Sequence, residues 1–141
     1  MQNPIAQASY SLIKTTKSDA GADVYYWHVC KAYSGTEELE FAIGSFGTVT
    51  TDEVGKQIST DGFRWANFEE AMSMMSQHKG LFRHFPLAIG GSKGTACALG
   101  VPEVCLVPTI MADKAGHPIF GLHSDDVYWE DSWRFLLITI K

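Results

Sequence analysis

Apolar and polar residues alternate with a period of two through much of the first third of the chain. The stretch "ASYSLIKTTK" reads as a strand. "SDAGAD" follows as a turn, with Gly21 available for a positive φ. "VYYWHVCKAY" is dense in aromatic and β-branched residues and predicts a second strand. After "SGTE" turns the chain, "ELEFAIGSF" sets Leu39, Phe41 and Ile43 on one face. The period then changes. Phe68, Ala71, Met72 and Met75 fall at i, i+3, i+4 and i+7, a helical stripe that reads as core. Asn67 caps it and Glu70, three residues on, completes a capping box; Gly80 suits the stop. The predicted helix covers residues 67–79.

Strand patterns return in the second half. "FRHFPLAI" and "EVCLVPTIMA" are both candidates, and Pro108 argues for an edge position or a bulge in the latter. "DKAG" reads as a hairpin connection with Gly116 in the left-handed position, "HPIFGL" pairs back, and "WRFLLITI" closes the domain. In that last strand Trp133, Phe135 and Leu137 point one way and Leu136, Ile138 and Ile140 the other, so both faces require cover. One helix cannot cover two faces. The expected architecture is therefore a single α+β domain over residues 1–141, with a strongly curved antiparallel sheet tending toward a barrel or sandwich. A homo-oligomer, such as a homodimer, is the other way to cover the remainder.

Composition narrows the class. The 141 residues are 45 % hydrophobic and 19 % charged, which is globular rather than disordered. Eleven Lys and Arg stand against sixteen Asp and Glu, scattered without a basic run. That disfavours nucleic acid, which requires clustered cations, and a polybasic membrane anchor. "FLLITI" is too short to span a bilayer and the N-terminus lacks a signal-peptide pattern, so a cytoplasmic location with reduced thiols is expected. Cys30, Cys97 and Cys105 match no zinc spacing and read as small buried residues; neither metal nor cofactor is expected.

The densest chemistry is "HPIFGLHSDDVYWEDSW", from His117 to Trp133. On a straight strand His117 and His123 lie roughly 20 Å apart, so they cannot share an ion. His123 and Asp125 remain a candidate catalytic pair, awaiting a third group. Asp125, Asp126, Tyr128, Trp129, Glu130 and Asp131 form a candidate docking surface of acids interleaved with aromatics. Arg134, four after Glu130, pairs with it if a helical turn persists that far. Elsewhere, Tyr26, Trp27 and His28 are candidate pocket-lining residues. His28 and Cys30, two residues apart, share one face of that strand. Lys93, within "IGGSKGT", is a candidate anion contact, although the loop lacks the P-loop spacing. His78, Arg83 and His84 make a small basic spot after the helix. With no catalytic motif, the function expected is a non-enzymatic binding protein. It would be a small acidic module, of inhibitor or immunity type, docking a basic protein partner. The alternative is a small-molecule-binding protein or hydrolase with a pocket in the curved sheet and a His–Asp pair.

Overall fold

The computed structural model describes residues 10–78, 86–92, 94–96, 101–124 and 128–140. Among these, nine strands form one mixed, mostly antiparallel sheet: β1 (Ser11–Lys17), β2 (Asp23–Ser34), β3 (Glu37–Ser45), β4 (Phe63–Trp65), β5 (Leu87–Ala88), β6 (Gly94–Ala96), β7 (Val101–Ala112), β8 (Pro118–Ser124) and β9 (Arg134–Thr139). Two helices complete the fold, α1 (Thr51–Asp61) and α2 (Phe68–Gln77).

β1, β2 and β3 form the expected meander, with Gly21 (φ 84°) and Gly35 (φ 65°) at its turns. β3 then pairs with β9, setting Ile43 opposite Leu136 and Ala42 opposite Leu137. The other side of β9 is shared. β4 takes residues 137–139 antiparallel, and β5 takes Arg134 and Phe135 parallel, the one parallel pairing in the sheet. β5 leads on to β7. Ile110 of β7 pairs with both Leu87 and Phe120, and Leu106 with both Gly94 and Ser124. Thus β5 and β6 lie on one side of β7 and β8 on the other. Among the described residues β1 and β8 are each paired on one side only, as are the short β4 and β6.

The two faces of the sheet carry two cores. Trp27, Phe41, Ile43, Leu136 and Ile138 lie on the face covered by Ala71 and Met74 of α2. Tyr26, Ala42, Phe135, Leu137 and Trp129 lie on the face covered by Val54 and Ile58 of α1. β9 is thus apolar on both faces, as its sequence predicts, and a helix lies over each. The sheet is therefore neither closed nor strongly curled, which corrects the expectation of a barrel or sandwich. The missing premise is α1. Its signals are a full capping box, Thr50 with Glu53, and a left-handed Gly62 stop (φ 94°). Its apolar pattern is only Val54 and Ile58, interrupted by Gly55.

Three further expectations change. α2 begins at the predicted cap, Asn67, but ends at Gln77, and its buried residues are Glu70, Ala71 and Met74. Met72 and Met75 are only partly buried and Phe68 lies at the rim, its ring 5.9 Å from Phe120. Pro108 is in a strand paired on both sides rather than at an edge. Its carbonyl accepts from Ile89 N–H, but without an N–H of its own it returns no bond there, just past the end of β5. Finally, a bulge at Val29 shifts the β2 register, so His28 pairs with Ala42 and Cys30 with Phe41. Cross-strand partners share a face, which puts His28 and Cys30 on opposite faces and rules out their direct pairing.

Candidate functional site

The acidic and aromatic segment divides into buried and exposed parts. Trp129 is fully buried and forms an isolated bridge with Val49. Its indole N–H donates to Thr51 Oγ1 at 2.8 Å, and its ring packs edge-on against Trp133 and Phe135. It is a core residue and offers nothing to a partner. Tyr128 is 64 % exposed, and Glu130 and Asp131 are exposed. Asp125 and Asp126 lie outside the described residues, as does Lys93.

His123 stacks on Trp129 with ring centroids 3.8 Å apart, and its Nδ1–H donates to the Ser124 carbonyl at 2.8 Å. That fixes the ring as part of an aromatic cluster. Among the described residues no three His, Cys, Asp or Glu side chains are grouped to hold a metal ion. Arg134 does not pair with Glu130. It is buried, and its Nη1 donates to the carbonyls of Asp131 (2.8 Å) and Trp133 (3.1 Å), tying down the turn before β9. Its guanidinium lies 5.9 Å from the Trp27 ring centroid, and burial pulls its pKa down.

Tyr26 and Trp27 are both buried, in the two different cores, and His28 is half-buried. Tyr26 instead donates its hydroxyl to Asp61 Oδ2 at 2.6 Å, where Gln57 (2.9 Å) and Thr16 (3.0 Å) also donate. Burial alone would raise the Asp61 pKa, but these donors and nearby Lys14 hold it below the usual carboxylate range. Asp61 borders a cavity of about 480 Å³ between α1 and the β1–β2 turn, together with Lys17, Phe46, Glu53 and Lys56. Its carboxylate ties the end of α1 to β1 and β2. The Cys30 thiol is buried, which pushes its pKa up to about 11 and leaves it unreactive at neutral pH.

The β7–β8 hairpin carries the strongest surface feature. β8, PIFGLHS, contains no Asp, Glu, Lys or Arg, and it is an outer strand. Cross-strand partners place Phe120 and Leu122 on one face with Ile110 and Pro108, and Ile119 on the other with Met111. These side chains are exposed by 48 % (Ile119), 52 % (Phe120), 63 % (Leu122) and 42 % (Met111). Phe68, Pro108, Phe120 and Leu122 also line an apolar groove of about 300 Å³. At Gly121 an added Cβ would come 2.9 Å from Thr109 Oγ1, so the strand centre is kept free of a side chain. Outer strands are usually guarded by charge, a bulge or a covering element. β1 has two lysines and a register shift between Leu12 and Lys14; among the described residues β8 has neither, and its guard is Pro118 at its first position.

No family model, curated protein or solved structure matches the chain. The functional reading therefore rests on the β8 surface itself. The sequence signal for it was present, since "PIFGL" is apolar at both parities and uncharged. Its position at the end of the sheet was not readable from the chain.

Proposed function

We propose that the chain is a non-enzymatic binding protein that takes an extended polypeptide segment as an added strand along β8. The observation that carries this reading is the uncharged outer strand, with large apolar side chains exposed on both faces. A strand added there forms main-chain hydrogen bonds, while its alternate side chains meet Phe120 and Leu122 on one face and Ile119 on the other. Tyr128, Glu130 and Asp131 follow β8 in the chain and remain exposed, an acidic rim that favours a segment with a positively charged end. This retains the acidic docking surface expected from sequence and moves its apolar centre from Trp129 to β8.

The test uses fluorescent seven-residue peptides that alternate apolar and polar residues and end in lysine, titrated by anisotropy at protein concentrations in the low micromolar range. Saturable binding is expected, weakened at least tenfold by Leu122→Lys. Absence of binding, or equal binding to the variant, refutes the reading.

A further inference from the structure

Among the described residues, two buried side-chain polar atoms have no hydrogen-bond partner, Trp27 Nε1 and Arg134 Nε. Both are N–H donors, so both call for an acceptor. They also lie together. Trp27 pairs with Ile43 and Ile43 with Leu136, and Arg134 precedes Leu136 by two on the same face of β9. The guanidinium stands 5.9 Å from the Trp27 ring centroid. Trp27 is 2 % exposed and Arg134 4 %. Buried donors in folded proteins are paired as a rule, and an orphaned one points to a bound water or ion. Here there are two at one place, and one is cationic. We infer that Arg134 and Trp27 form an anion site whose ligand is a small carboxylate.

The charge balance supports an anion over a neutral acceptor. Among the described residues no carboxylate pairs with Arg134. Asp131, the acid whose field reaches it, is exposed and offers its main-chain carbonyl rather than its side chain. The Trp27 ring eases the positive charge but accepts neither N–H. A cation buried without an opposite charge is costly, and an anion at its side removes that cost. The low exposure of both residues shields such a contact from water, which strengthens it.

The shape of the donor set selects the class of anion. Nη1 is committed to the carbonyls of Asp131 and Trp133, which fixes the plane of the guanidinium. Nε and Nη2 make no hydrogen bond among the described residues. These two nitrogens share one edge of the planar group, and their spacing matches the two oxygens of a carboxylate. Such a bidentate, charge-assisted pair is the strong form of the contact, and the Trp27 N–H supplies a further donor. A single-atom anion such as chloride cannot meet that edge oxygen for nitrogen. The limited exposure restricts the ligand to an acid of about the size of formate or acetate.

The Arg134 Nε–H and the indole N–H groups of the four tryptophans give direct nuclear magnetic resonance signals for the test. Sodium formate, acetate and chloride are each titrated to about 50 mM, a range that detects millimolar affinity. Trp27→Phe and Arg134→Lys assign the two signals. Formate or acetate should shift the Trp27 and Arg134 signals together and saturably, while the Trp129 indole, bonded to Thr51, stays in place. Arg134→Lys keeps the charge but loses the edge, and should weaken acetate binding at least about tenfold, followed at Trp27. Trp27→Phe keeps an aromatic ring but loses the orphan donor, and should weaken it several-fold, followed at Arg134. Circular dichroism identifies a variant that fails to fold, and the other variant then carries the test. Chloride that binds as tightly as acetate overturns the carboxylate assignment. Signals that no anion shifts, or acetate binding that both folded variants retain, overturn the site and leave water as the acceptor. None of these outcomes bears on the β8 reading, which the peptide titration decides.

Discussion

Trp129 donates its indole N–H to the Thr51 hydroxyl inside the core beneath α1. Thr51→Val keeps the shape and leaves that N–H buried without a partner, which costs about 1–3 kcal/mol. Urea unfolding should show this loss for Thr51→Val and much less for Thr51→Ser. Glu70 makes the pH-dependent counterpart. Its carboxylate accepts from both terminal nitrogens of Arg64 (3.0 and 2.8 Å) and from Asn67 N–H (3.0 Å). Burial would raise its pKa, but Arg64 and the Asn67 amide hold it below the usual carboxylate range. Since the folded pKa is the lower one, the stabilisation is complete above about pH 5. It is lost as pH falls through the unfolded value near 4.3 and then the folded one. Glu70→Gln should therefore cost about 1–3 kcal/mol at pH 7 and progressively less toward pH 3, measured by urea melts across that range. Neither pair was legible in the chain. Thr51 and Trp129 are 78 residues apart, and nothing in an acidic, aromatic run says that its second aromatic turns inward.

The two helices are set by the same local device. Thr50 and Asn67 each accept from the N–H three residues on, and Glu53 and Glu70 each return a bond to the cap amide. Thr50→Ala and Asn67→Ala should each cost about 1 kcal/mol. α1 and α2 pack into separate cores, so the double variant should lose close to the sum in equilibrium unfolding. A strongly sub-additive result would show that the cores are coupled. The contrast in legibility is instructive here. α2 has Ala71, Met72 and Met75 within its pattern and was readable to its cap. α1 has the same cap but a thin apolar stripe, and a polar helix interrupted by glycine resembles a loop. Missing it left one face of β9 without cover, and the curved sheet followed from that gap.

At the scale of the whole molecule, the meander, the β7–β8 hairpin and the two-faced β9 were all legible, because each depends on neighbours in sequence or on one strand's own pattern. Strand order was not. β9 joins β3 to β4 and β5 across long stretches of chain, and the Asp61 cluster joins α1 to β1 and β2 across 35 to 47 residues. The exposed β8 edge is a consequence of that order, not of any pattern local to the strand. The position of β9 also bears on how the protein is made. It is central in the sheet yet the last described element to leave the ribosome. Until it emerges, the meander and the hairpin hold apolar surfaces that have nothing between them. The nascent chain therefore carries both half-built cores until residues 134–139 have been made, and the decisive non-local closure waits for them.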